Sequence, residues 1–147
     1  DDADIGLFTT DLTSLPLKTR PMSRQKVDED GTVWFFSHKD SDKNHDIDKD
    51  NRVQLFYSNK GSMEFLSLYG TAEIIQDAAK AKELWSIMAK IWFKDHDDPN
   101  LTLIKVTPED GYYWDTKDGK IVSLFKMAVG LITGKEIDGS IEGKVKS

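Results

Sequence analysis

Short runs in which apolar and polar residues alternate dominate the chain, and most are bounded by Gly, Pro, Asp or Ser. That pattern predicts strands joined by turns. Residues 5–11 (IGLFTTD) and 16–27 (PLKTRPMSRQKV) read as two extended stretches linked by a Thr/Ser turn. Pro21 cannot donate to a ladder, so its strand is expected to be an edge, a bulge, or a place where something other than a strand meets the backbone. Residues 28–31 (DEDG) form a turn and residues 32–37 (TVWFFS) a strand rich in β-branched and aromatic side chains. Residues 52–57 (RVQLFY) set Val53, Leu55 and Tyr57 against Arg52, Gln54 and Phe56. Residues 63–75 (MEFLSLYGTAEII) read as a longer strand with Gly70 at a bulge, and residues 101–106 and 111–115 as two strands separated by a turn at 107–110.

The helical signals are fewer. Residues 40–50 (DSDKNHDIDKD) are too polar for a core element and predict a solvated helix or loop capped by Asp40 or Ser41. Residues 77–93 place Ala81, Leu84, Trp85, Met88, Ile91 and Trp92 at spacings of three and four behind an Asp cap, which predicts one amphipathic helix. Its aromatic stripe reads as core packing rather than a ligand platform. Residues 115–120 read as a turn, residues 121–133 as an apolar helix, and the last dozen as frayed. Six or seven strands arriving mostly as hairpins imply a mainly β fold, an antiparallel barrel or sandwich with helices over its openings. Residues 1–147 are read as a single domain.

Composition narrows the chemistry. The 147 residues contain no Cys, which removes thiol nucleophiles, Fe–S clusters and zinc–thiolate sites. A net charge of −6 argues against a broad nucleic-acid or anionic-membrane surface. With no apolar run long enough to span a membrane and no recognisable signal, the expected location is the cytoplasm. The 20 basic residues include only three arginines, Arg20, Arg24 and Arg52. Arg offers a rigid fork to phosphate or carboxylate, so these positions come first in a search for an anion contact.

Arg20, Pro21, Met22 and Ser23 put one such fork, a hydrogen-free nitrogen and a small hydroxyl in one strand; taken alone they read as an ordinary edge. Alternation puts Arg20, Met22 and Arg24 on one face and Thr19, Pro21 and Ser23 on the other. After the strand ending in Phe35 and Phe36, residues Ser37, Ser41 and Lys43 lead into a helix start, the usual components of a phosphate site, although a capped loop explains them equally well. The acids at 42–50 fail as an EF-hand, because a loop starting at Asp42 needs Gly where Ile47 stands and Glu where Val53 stands. His38, His45 and His96 have no metal spacing, and no nucleophile–base set is recognisable. Tyr112 and Trp114 share one strand face and Tyr113 takes the other; one is core, and the other can present a flat aromatic to a cofactor or a partner subunit.

Together, RPMS at 20–23, WFFSHKDSDK at 34–43, YGTAEI at 69–74, LWSIMAKIWF at 84–93, IKVTPEDGYYWD at 104–115 and GLITGK at 130–135 resemble the general stress proteins of the pyridoxamine 5'-phosphate oxidase-like group, which are FMN-binding split β-barrels. The resemblance implies a homodimer with FMN at the subunit interface. Arg20 would contact the polar part of the flavin. The backbone of Met22 and Ser23 would run along its ring with Pro21 and Phe36 also in the cofactor site, and Ser37, Ser41 and Lys43 would grip the phosphate. Trp114 would approach from the second subunit. The chain departs from the true oxidases, which hold substrate with an Arg and a His near the C-terminus, because it has no Arg after Arg52 and no His after His96. Asp42 also stands where the oxidases carry an arginine. The expectation is therefore an FMN-dependent oxidoreductase without pyridoxamine phosphate oxidase activity, served by a nicotinamide or other electron donor. The alternatives are a non-catalytic flavin carrier or sensor, and a barrel for another ligand such as a deazaflavin or heme.

Overall fold

The structure, a computed structural model, describes residues 5–59, 63–116, 131–137 and 140–146. Val53, Leu55 and Tyr57 turn inward with Phe8, Phe35, Leu66, Leu68, Ile104 and Tyr113, all nearly free of solvent. Around them β1 (Ile5–Thr10), β2 (Lys18–Val27), β3 (Val33–His38), β4 (Arg52–Asn59), β5 (Glu64–Ile75) and β6 (Leu101–Thr116) close an antiparallel barrel in the order β3-β2-β1-β4-β5-β6. Pairing of β3 with β6 completes the circuit. Closure removes most edges and lets one interior serve all six strands.

Residues 33–36 (VWFF) are continuously apolar because both faces of β3 are covered. Val33 and Phe35 fill the barrel, where the Phe8 and Phe35 rings meet edge to face at 5.1 Å. Trp34 and Phe36 point outward into a second core with Ala81, Leu84, Phe93, Leu101 and Leu103. The Trp34 indole donates to Asp28 at 2.7 Å and lies beneath the Lys80 ammonium, 4.6 Å from its ring centre.

Four expectations change. Residues 107–110 form no turn: β6 runs unbroken through them, and a bulge absorbs the Pro108–Glu109 step, since Gly70 pairs with Pro108 and Tyr69 with Asp110. A side chain at Gly70 would strike the Thr107 carbonyl and come within 3.2 Å of the Pro108 Cα, so β5 needs glycine for the strands to approach this closely.

Residues 77–93 are not one helix. Asp77 caps α2 (Ala78–Leu84), accepting from the Lys80 amide at 3.1 Å, but the backbone becomes extended at Trp85 and Ser86 before a 3₁₀ turn, Ile87–Ile91. This break gives the buried positions to Ala89 and Phe93, and leaves Met88, Ile91 and Trp92 more than 60% exposed.

The acidic segment is a helix, α1 (Asp42–Lys49), capped by Ser41, but it is not merely solvated. Ile47 closes one end of the barrel and Asn44 is 2% exposed. Finally, residues 131–133 are not helical and the chain end carries regular structure. β7 (Leu131–Ile137) and β8 (Ser140–Lys146) form a hairpin, and β8 pairs with residues 110–116 of β6, giving eight strands. The half of β6 that β3 leaves uncovered supplies the edge that this hairpin needs. The remainder of the predicted 121–133 helix, and residues 117–120 of the predicted turn, lie outside the described residues.

Candidate functional site

A gap opens where β2 and β3 part. The two strands pair only through Val27–Val33, Lys26–Trp34 and Arg24–Phe35, with a bulge between Arg24 and Lys26. Above that point residues 18–23 of β2 pair with β1 alone, and residues 36–38 of β3 pair with β6 alone. Both strands thus present open backbone edges. The expectation for Pro21 is met: its stretch is an edge inside an otherwise closed barrel.

A cavity of about 690 Å³ fills this gap, within the range of small-molecule sites. β2 supplies Pro21, Met22, Ser23, Arg24 and Gln25; β3 supplies Phe36 and His38; α1 supplies Lys43; and the 3₁₀ turn with the two residues after it supplies Met88, Trp92 and Phe93. None of the described residues on this wall is acidic, in a chain with net charge −6.

Lys43 is half-buried and makes no ion pair among the described residues. Burial, and then the nearby Arg20 charge, hold its ammonium below the ordinary lysine pKa, while Asp42 opposes them. Ser41, one residue before α1, accepts from the Asn44 amide at 3.4 Å. The Arg20 guanidinium donates to the Phe8 carbonyl at 3.2 Å and the Thr10 hydroxyl at 2.8 Å, and lies 3.9 Å from Asp46. Asp46 also accepts from Thr10 at 2.8 Å, so this group pins α1 to the barrel. Burial lowers the Arg20 pKa, against the pull of Asp46 and Asp42.

The predicted residues therefore separate. Pro21, Met22, Ser23, Phe36 and Lys43 come together on one wall, with Ser41 at the helix start and Arg20 beside Lys43, behind the lining. Ser37 does not join them. Its hydroxyl faces the barrel interior, 2.6 Å from the Thr102 hydroxyl, which in turn donates to the Ser37 carbonyl and accepts from Asn44. The alternation that puts Phe36 on the outer face sends Ser37 inward, so only its backbone can serve the gap. Thr102→Val should leave the Asn44 amide and Ser37 hydroxyl short of partners and cost about 1–3 kcal/mol of stability by urea denaturation; an unchanged midpoint would mean that the network carries no net stability.

Trp114 lies elsewhere. Tyr113 takes the core side of β6, and Trp114 points outward, 43% exposed, beside Tyr112. It lines a separate apolar cavity of about 900 Å³ with Ile5, Leu7, Phe56 and Phe65, and only Ile5 lines both cavities.

Sequence reasoning missed His38, Met88 and Trp92. Arg24, a candidate anion contact that the resemblance left out of the cofactor set, lines the cavity with its guanidinium 5.3 Å from the Tyr57 ring centre. Arg52, by contrast, is held by a two-point bond to Asp50 at 2.9 and 2.6 Å and lines neither cavity. His38 accepts from the Asp40 amide through Nδ1 at 3.1 Å, which leaves Nε2 to carry the proton of the neutral ring.

A model of proteins described as pyridoxamine 5'-phosphate oxidase like matches residues 1–138. The chain belongs to this family. Among curated relatives it is similar to general stress protein 26 of Bacillus subtilis, 30% identical over 98 residues that cover 63% of this chain and 70% of that protein. It is also similar to protein bli-3 of Neurospora crassa, 26% identical over 88% of this chain and 66% of that one. A solved structure named for general stress protein 26, from Jannaschia sp. CCS1, superposes with a TM-score of 0.75 and 27% identity, covering 99% of this chain and 92% of that one. A pyridoxamine 5'-phosphate oxidase-related, FMN binding protein from Nostoc punctiforme shares the fold, with a TM-score of 0.64 at 15% identity over 77% of this chain and 74% of that one. The split barrel is thus the architecture of this family, and the gap between β2 and β3 is the feature to be explained by function. No helix among the described residues is long and apolar enough to cross a membrane.

Proposed function

We propose that the chain binds FMN in the gap between β2 and β3, with the phosphate at Lys43. The observation that carries this reading is Lys43 itself: a half-buried ammonium that forms no ion pair among the described residues, on a cavity wall without acids. A dianionic phosphate supplies the missing charge, and Ser41 and the first amides of α1 add donors. Arg20 spends donors on Phe8 and Thr10 and contributes mainly its charge, close behind Lys43. The open edge at Met22 and Ser23 offers main-chain groups to the polar rim of a flat ring, and Phe36 gives it an apolar neighbour.

A bound flavin supplies electron or hydride transfer, and the protein's contribution is to hold, orient and shield it. The exposed apolar face of Ile5, Leu7, Phe56, Phe65 and Trp114 supports a homodimer in which Trp114 of a second copy reaches toward the gap, since a patch of this kind marks a contact surface. In these 147 residues no Arg follows Arg52 and no His follows His96, and the reading favoured here is a flavin-dependent oxidoreductase acting on a substrate other than pyridoxamine phosphate. Titration of FMN into purified protein, followed by flavin absorbance, is the test. Saturable binding supports the reading and its absence at high FMN overturns it. Turnover of bound flavin by a nicotinamide donor and an acceptor separates an oxidoreductase from a carrier.

Asp42 works against this anion site. Its carboxylate sits close enough to Lys43 and Arg20 to act on both. Asp42→Asn is expected to tighten FMN binding about threefold at low salt, the scale of one exposed charge pair, and to lose that gain at high salt. Isothermal titration at two salt concentrations reads both arms.

A further inference from the structure

We infer that Trp92, with Met88, forms the apolar wall against which the flat ring of the bound flavin packs, and so sets which planar ligands the site accepts; this rests on the flavin reading above. Periodicity would bury both residues. The extended backbone at Trp85 and Ser86 instead re-aims the chain, so that Ala89 and Phe93 enter the second core and Trp92 stands 68% exposed, Met88 62%. Isolated exposed apolar residues need no explanation, but Ile87, Met88, Ile91 and Trp92 form an exposed group on one short turn. Of these four, Met88 and Trp92 are the two that line the gap with Lys43.

The lining is of two kinds. Lys43 from α1 and Arg24 from β2 bring cations, whereas the 3₁₀ turn and the two residues after it bring a thioether, an indole and the Phe93 ring. This distribution fits a ligand with an anionic tail and a flat, polarisable body. Indole and thioether are well suited to a planar ring, by stacking and by sulfur–aromatic contact. An outward tryptophan at this position is inexplicable as core and costly as bare surface; as one wall of a ring slot it has a role.

The experiment is a titration of FMN and riboflavin into wild type, Trp92→Ala, Trp92→Phe and Met88→Ala, following affinity and flavin emission. Because Trp92 is exposed, none of these variants should fail to fold, and thermal melts check this. Wild type should quench bound flavin strongly, since an electron-rich indole in contact quenches its emission. Trp92→Ala should weaken FMN and riboflavin alike by roughly tenfold, as expected for one lost stacking partner. Trp92→Phe should keep most of the affinity but lose much of the quenching. Unchanged affinity in Trp92→Ala overturns the inference while leaving flavin binding intact. So does a loss confined to FMN, or a change only in oligomeric state by sedimentation, which would make this face a contact between copies. Failure of wild type to bind either flavin overturns the underlying reading itself.

Discussion

Lys43→Ala is expected to weaken FMN binding roughly 10- to 100-fold, the value of one charge-assisted hydrogen bond to phosphate, while riboflavin binding changes little. The selectivity follows from which element carries the charge: Lys43 comes from α1, whereas the groups proposed for the ring come from β2 and from the 3₁₀ turn with the residues after it. Equal losses for both ligands would mean that the substitution damages the site generally. No loss for either would remove Lys43 from it.

The same lysine fixes a pH dependence. Its pKa in the free protein is lowered, chiefly by burial and then by Arg20, whereas a bound phosphate favours the charged form. FMN affinity should therefore hold through neutral pH and fall as pH rises through that lowered value, earlier than an ordinary lysine would dictate. Stability without ligand runs the other way. The unfolded chain holds this proton more tightly than the folded one, so the protein gains stability as pH climbs from the folded to the unfolded pKa of Lys43. Lys43→Met, which keeps the stem and removes the charge, should abolish both trends.

Gly70→Ala should be more destabilising than the same change at Gly6 or Gly111, at about 2–4 kcal/mol, at or above the upper range for overpacking. At Gly6 the added carbon meets the Tyr57 ring, which is a side chain, and at Gly111 it meets one backbone atom closely, the Ser67 carbonyl at 2.8 Å, whereas at Gly70 it strikes the Thr107 carbonyl with the Thr107 carbonyl carbon and the Pro108 Cα close behind. Relief requires β5 and β6 to separate at their bulge, and these strands form the longest pairing in the barrel. Urea denaturation of the variant checks the figure; a loss below 1 kcal/mol would show that the bulge gives way easily.

Much of the barrel is legible in sequence because inner and outer residues differ in kind along β4 and β5, and because the two-sided burial of β3 leaves a run too apolar for anything else. The break at Trp85 and Ser86 is not legible, because residues 77–93 satisfy a helical period throughout and only the demand of the second core for Ala89 and Phe93 decides against it. β7 and β8 are hidden for a related reason: their pairing partner is an edge of β6 that exists only after β3 has diverged. The candidate site shows the same division. Lys43 and the Arg20–Ser23 strand stand out by residue type, whereas Ser37 changes face with the pleat. Arg24, Met88 and Trp92 reach the cavity only through a parting of strands and a broken helix that no local pattern records.

Residues 18–23 of β2, paired on one side alone, carry a hazard as well as a use. Six residues of open strand are a template on which a foreign chain can extend the sheet, the first step of ordered aggregation. Here the template is interrupted by Pro21, flanked by Lys18, and ended by the bulge at Gln25, three devices that discourage strand addition without closing the edge. The protein thus keeps a stretch of main chain open to a small molecule and poorly suited to another polypeptide.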